Sequence, residues 1–227
     1  PRMLPELRTE IPGPRSRELA ARLRWVESRN VTLLGERWPV FWERAEGVNV
    51  WDADGNRFLD FTSGFGVTGL GHSSPPVRAA LSAQSRRLLH AMGDVHPAES
   101  KVELCEMLSE LTFERWGAGR GKVILGNSGS DAIEAALKTA VLHTGKPGVL
   151  VFAGAYHGLG YGALEVSALE FFRTPFARQL GGFAVSVPYP YCFRCPLGHG
   201  GAFALEGGEF PHCSSGCLEE LRRRIIT

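Results

Sequence analysis

Residues 122–158 read KVILGNSGSDAIEAALKTAVLHTGKPGVLVFAGAYHG, and this stretch decides the fold class. Lys122-Val123-Ile124-Leu125 is an apolar run with the length of a buried strand, and Val149-Leu150-Val151-Phe152 is a second. Between them, from Asp131 to His143, Ile133, Ala136, Leu137 and Ala140 recur at helical spacing, so the rhythm predicts β-α-β. Continuous apolar strands joined by a helix imply a parallel sheet covered on both faces, which is an α/β fold.

Upstream of this unit, two helices are predicted. One carries Val77, Ala80, Leu81 and Leu88, the other Leu104, Cys105, Leu108 and Leu111. Cys105, alone on an apolar face, reads as core. Before them, Ser63 to His72 holds four glycines in ten residues and reads as a connection. Val40-Phe41-Trp42, Val48-Asn49-Val50-Trp51 and Arg57-Phe58-Leu59-Asp60 form a small β meander, with the turn Asp52-Ala53-Asp54-Gly55-Asn56 between the last two runs. Nearer the N-terminus, Leu19, Leu23 and Val26 lie at helical spacing behind Pro14-Arg15-Ser16. At the other end, Leu218 to Arg224 is a charged, helix-like stretch, and the β-branched Ile225-Ile226-Thr227 reads as the start of a strand. The chain opens on Pro1, and the expectation is a piece of a longer protein.

The 227 residues are 44% hydrophobic and 22% charged, with 25 Lys+Arg against 24 Asp+Glu. That is the composition of a folded globular protein and excludes collagen, disorder and coiled coil. A net charge of +1 with no basic stripe gives no reason to expect nucleic acid or an anionic membrane as partner. There is no apolar run of transmembrane length and no apolar signal region in the first residues. Five cysteines, an odd number, fit a reducing cytoplasm better than a disulfide framework.

In a parallel α/β sheet, ligands bind beyond the carboxyl ends of the strands, so the loops after Leu125 and Phe152 carry the chemistry. The first, Gly126-Asn127-Ser128-Gly129-Ser130-Asp131, leads into a helix. Its free N–H groups and hydroxyls suit an anion such as phosphate, and Ser and Asp equally suit a plain N-capped turn. The second, Ala153-Gly154-Ala155-Tyr156-His157-Gly158, sets an aromatic ring beside an imidazole. A phosphate cradle and a stacking ring are what a flat, phosphate-bearing heteroaromatic ligand needs, while Tyr156 could equally cap the sheet edge.

Four segments in order, Trp51-Asp52-Ala53-Asp54-Gly55-Asn56-Arg57-Phe58-Leu59-Asp60-Phe61, Leu70-Gly71-His72, Asn127 to Lys138, and Tyr156-His157-Gly158, resemble the successive signatures of class III pyridoxal-phosphate aminotransferases. The resemblance runs from about Val40 to Val166 and implies the fold-type-I, aspartate aminotransferase-like architecture. It implies an N-terminal small-domain segment over 1–70 and the first part of the large, cofactor-binding domain over 71–227, with a cysteine-containing loop at 188–217. It also implies that Ser128, Gly129 and Ser130 hold the phosphate of pyridoxal 5'-phosphate, that Tyr156 stacks on its ring with His157 at the edge, and that Phe65 faces substrate. His72 supports its loop rather than touching substrate.

Such enzymes need a lysine nucleophile and an acid facing the pyridine nitrogen. Only Lys101, Lys122, Lys138 and Lys146 occur, and none has the family's lysine context, so the Schiff-base lysine is expected beyond Thr227 and this chain alone is expected to be inactive. The implied activity moves an amino group from an ω-amino acid or amine to a 2-oxo acid, in a homodimer. A racemase or aminomutase would share every motif quoted. Cys192-Phe193-Arg194-Cys195 and Cys213-Ser214-Ser215-Gly216-Cys217, with His199 and His212 between, approximate a zinc ribbon with one residue too many in the second pair. They read equally as small hydrophobes packed in the surface loop that follows Pro188-Tyr189-Pro190-Tyr191, and no metal ligand is assigned. A non-enzymatic metal-binding module around these cysteines is the rival of another class.

Overall fold

The computed structural model describes residues 3–29, 31–35, 38–191 and 216–226. These fall into two compact units, Pro1–Ala98 and Glu99–Thr227. In the first, helix α1 (Pro14–Val26) starts after Gly13, which has no side chain to cap it. The cap comes from the meander instead: Asp54 accepts the amides of Arg15 at 2.7 Å and Ser16 at 2.9 Å. A Cβ on Gly13 would run into that carboxylate. Burial works against the charge on Asp54, yet the Ser16 hydroxyl, the Arg15 and Ser16 amides and the Arg17 guanidinium hold its carboxyl below the usual range. A cap of this kind is worth about 1 kcal/mol.

The meander is antiparallel, β1 (Trp42–Glu46) on β2 (Asn49–Asp52) on β3 (Arg57–Leu59). The first strand lies further along than Val40-Phe41-Trp42. Its ladder begins at Trp42 opposite Asp52, breaks register before Arg44 opposite Trp51, and leaves the Phe41 carbonyl to receive the amide of the turn residue Ala53. The buried centre is partly polar, with Asn49, Asp52 and Asn56 fully buried beside Val50 and Trp51. Each polar group is satisfied: Asn56 accepts the amides of Arg8 and Thr9 and donates to Asp52 Oδ2, while Asn49 exchanges bonds with the Met3 backbone.

The glycine-rich connection is organised by Asp60. Its carboxylate accepts the Thr62 hydroxyl at 2.7 Å, the amides of Thr62 and Gly64, and His72 Nε2–H at 2.7 Å. One helical turn, α2 (Ser63–Gly66), is forced into left-handed backbone at Gly64 and Phe65. His72 also exchanges backbone hydrogen bonds with Gly47, which ties the start of the 71–98 stretch to the meander, so the compact unit extends past residue 70 to Ala98. Helix α3 (Pro75–Ser85) follows and stops short of Leu88.

The second unit opens with α4 (Glu99–Ser109), continued by a π turn over Glu110–Glu114 that takes in Leu111. Cys105 on α4 is half-buried rather than core. The long helix α5 (Gly129–Thr144) and strand β4 (Val149–Phe152) follow. Then come α6 (Tyr161–Glu165), α7 (Glu170–Arg173), a 3-10 turn (Thr174–Gln179), β5 (Ala184–Val187) and α8 (Gly216–Ile226). The parallel ladder is β4 on β5, Val149 opposite Ala184 through Phe152 opposite Val187. Residues 122–125 join no ladder, because among the described residues no strand lies beside them, and Ile124 is left exposed. Nor do the described residues cover both faces of the sheet there: Val151 and Val187 are buried, whereas Leu150 and Phe152 are exposed. The core of this unit sits at Ala163, Leu164 and Val166.

Ile225 and Ile226 continue helix α8 instead of starting a strand. Glu220 bonds Arg223 and Arg224 at i+3 and i+4, and those guanidinium groups hold its carboxyl down to about 2. Cys192, Cys195, Cys213, His199 and His212 lie outside the described residues, as does the side chain of Cys217. Among the described residues no helix is long and apolar enough to cross a membrane.

The Thr62 hydroxyl, His72 and two amides hold the Asp60 carboxyl down to about 2, against an ordinary 3.8. Its contribution to stability is therefore complete above the ordinary value and lost as pH falls from there toward 2. Asp60→Asn should remove that component, so urea midpoints measured from about pH 5 downward should fall less steeply than in the parent. Parallel curves would show that Asp60 does not organise the loop.

Candidate functional site

The start of α5 is capped twice. Ser128, in extended backbone, accepts the Asp131 amide at 3.1 Å, and Asp131 accepts the Asn127 amide at 3.1 Å. The first intrahelical bond runs from the Ala132 amide to the Ser128 carbonyl. Of the orphan donors at this helix start, the amides of Gly129 and Ser130 therefore remain without an acceptor among the described residues. A Cβ built on Gly129 would meet no atom within 4 Å, so the space beside Gly129 is open. The plain N-cap and the anion cradle coexist, since one hydroxyl and one carboxylate cap the turn and two amides are left over. Their partial positive charge, added to that of a helix of 16 residues, favours an anion.

The loop after β4 is fastened to this helix start. The Gly160 amide donates to Ser130 Oγ at 3.2 Å, and Gly158, at φ 130°, lies against Ser130 so closely that a Cβ there would stand 2.6 Å from Ser130 Cβ. Ser130 spends an acceptor lone pair on Gly160 and keeps its O–H to donate; Ser128 does the same with Asp131. Tyr156 is 52% exposed, with its ring 5.6 Å from Phe172 in a tilted pair. The backbone of the next residue, His157, is held by its amide donating to Ser167 Oγ at 2.9 Å. The cradle and the aromatic loop are thus brought together.

An open cleft of about 870 Å³ lies nearby, lined by Phe152, His157, Tyr189 and Arg224 among others. Neither Gly129 nor Tyr156 lines it; the loop after β4 reaches it through Ala153, Gly154, Ala155 and His157. Phe65 belongs to the first unit, where its ring is 97% exposed and its backbone is left-handed. His72, bonded to Asp60, supports its own loop. Lys101, Lys122, Lys138 and Lys146 are exposed and stand on neither loop. The sequence reading missed Glu134, whose Oε1 accepts the Ala163 amide at 3.0 Å. Its i+4 spacing from Ser130 and the alternating glycines 158, 160 and 162 acquire meaning only once the fold sets them face to face.

A family model described as aminotransferase class-III matches residues 34–199, a span wider at both ends than the resemblance read from the motifs and one that takes in Cys192 and Cys195. A 4-aminobutyrate aminotransferase of Mycobacterium leprae is 39% identical over 194 residues, 86% of this chain and 40% of that protein. An alanine/serine racemase of Pyrococcus horikoshii is 32% identical over 190 residues, 84% of this chain and 39% of that protein. The solved structure of an omega transaminase from Pseudomonas jessenii superposes with a TM-score of 0.73 at 25% identity, covering 92% of this chain and 45% of that one. The chain spans about two-fifths of the length of the curated relatives it matches. Its architecture is that of the fold-type-I transaminases, and the chain belongs to the class-III aminotransferase family.

Proposed function

We propose that the protein is a pyridoxal-phosphate-dependent aminotransferase, moving an amino group from an ω-amino acid or amine to a 2-oxo acid, working as a homodimer in the cytoplasm. The observation that carries the reading is the pair of open amides at Gly129 and Ser130 on a helix start to which the Tyr156–His157 loop is fastened. The donor set suits a phosphate: two free amides, two hydroxyls with their protons still to give, and open space where a Cβ on Gly129 would stand. In this assignment Ser128, Gly129 and Ser130 hold the phosphate, Tyr156 covers a face of the ring, His157 lies at its edge and Phe65 contributes to the substrate pocket. When bound, pyridoxal 5'-phosphate supplies the electron sink for amino-group chemistry. The chain's own residues bind and orient: the cradle fixes one end of the cofactor, the tyrosine ring fixes its plane, and the exposed face of Tyr156 excludes water where it is covered.

The racemase relative favours a second reading, stereochemical inversion on the same cradle. Consumption of an amino donor such as 4-aminobutyrate with formation of a carbonyl product and a new amino acid supports the transaminase. Inversion of alanine or serine without a 2-oxo acid supports the racemase.

Gly129→Val should fold normally, since no atom lies within 4 Å of the new Cβ, yet should lose affinity for pyridoxal phosphate because the isopropyl group occupies the cradle. Unchanged affinity in an absorbance or fluorescence titration would rule the assignment out. At Tyr156 the task is stacking, so Phe should retain most affinity while Ala loses about 0.5–1.5 kcal/mol; equal large losses would point to the hydroxyl. No lysine of this chain is assigned the nucleophile's part. Borohydride reduction at one equivalent of cofactor per chain, followed by peptide mapping, should leave Lys101, Lys122, Lys138 and Lys146 without a stoichiometric adduct, and a single such adduct would relocate the nucleophile.

A further inference from the structure

We infer that Glu134 is the positioning residue that sets the Tyr156–His157 loop against the Gly129–Ser130 cradle; the inference rests on the cofactor reading above and deepens it. Glu134 stands one helical turn after Ser130 on α5, so both side chains project from one face. Three glycines of the facing segment lie against that face. A Cβ on Gly158 would collide with Ser130, one on Gly160 would meet Ser130 Oγ and Glu134 Oε1 at 3.0 Å, and one on Gly162 would lie 2.5 Å from Glu134 Oε2. The chain is stripped of side chains on alternate residues because the helix face fills the space.

The carboxylate is joined to the site by a relay of hydrogen bonds. Glu134 Oε1 accepts the Ala163 amide at 3.0 Å. The Ala163 carbonyl accepts from Ser167 Oγ at 2.8 Å, and Ser167 Oγ in turn accepts the His157 amide at 2.9 Å. Ala163 and Ser167 are fully buried, so the middle of the relay is shielded from water, while its ends at Glu134 and His157 are part-buried. It begins on the helix whose first amides form the cradle and ends on the residue beside Tyr156. A negative side chain one turn from an anion cradle is electrostatically unfavourable. Here the carboxylate is turned to an amide of the facing loop, and what it contributes there is registry between the two halves of the site.

The test uses the whole protein carrying Glu134→Gln, Glu134→Ala and, as an independent break in the same relay, Ser167→Ala. Glutamine keeps an acceptor oxygen for Ala163 and should bind pyridoxal phosphate within about twofold of the parent, or more tightly because a like charge is gone. Alanine at 134 should weaken binding about tenfold, the weight of one charge-assisted hydrogen bond, and should diminish the induced circular dichroism of the bound cofactor, which reports ring orientation. Should Glu134→Ala not fold, Ser167→Ala must show the same loss of dichroism with the cradle intact. Parent-like affinity and dichroism in the alanine variants, or glutamine as damaging as alanine, would overturn the assignment. If the parent takes up no pyridoxal phosphate, the cofactor reading falls on its own. Amide exchange then decides the positioning claim: faster exchange at Ala163 and His157 in Glu134→Ala, restored by glutamine, supports it, and unchanged exchange overturns it.

Discussion

A single hydroxyl, that of Ser130, receives the amide of Gly160 while its own backbone amide stays open at the head of α5. The geometry of the second unit's site depends on that double use. Were the loop after β4 not fastened there, the Glu134 relay alone would be left to set the ring of Tyr156 against the helix start, because Tyr156 itself is half exposed and, among the described residues, pairs its ring with Phe172. A serine suits the task because it is small enough to lie under Gly158 and still offers two lone pairs and one proton. The helix contributes direction through its dipole, the serine contributes attachment, and the glycines opposite contribute closeness.

Much of this was legible in the sequence, and the reason differs from element to element. The helix over Gly129–Thr144 announces itself through apolar spacing and through Ser128 and Asp131, since capping is a local event that needs only neighbouring residues. Strand β4 is legible as an apolar run, but its partner is not. Ala184-Val185-Ser186-Val187 is short and interrupted by a serine, and pairing with it depends on a contact across more than thirty residues that no local pattern encodes. Residues 122–125 have the stronger strand composition and join no ladder, because composition describes what a strand can bury and says nothing of which neighbour is there to pair with.

The same division holds in the site. Gly129, Ser130 and Tyr156 could be singled out because each has an unusual residue type at a place where ligands bind. Glu134 could not, since a glutamate on a helix is ordinarily a solvated side chain, and only the fold reveals that the Ala163 amide lies opposite its carboxylate. In the first unit, Asp60 was read as part of a motif and its work was hidden for a similar reason. Its four hydrogen bonds reach forward to Thr62, Gly64 and His72, and the left-handed turn at Gly64 and Phe65 that they frame has no signature beyond its glycines.

The cap on α1 has a bearing on how the chain reaches this structure. Gly13 offers nothing to the first turn, no acidic residue stands there, and the acceptor for its amides is Asp54, about forty residues away on the turn between β2 and β3. A helix of 13 residues is marginal by itself in water, so its lasting formation waits on a tight turn formed elsewhere. Helix and meander consequently condense together, as one cooperative step set by the closure of a long loop, and the order of events along the polypeptide is not the order in which its secondary structure becomes permanent.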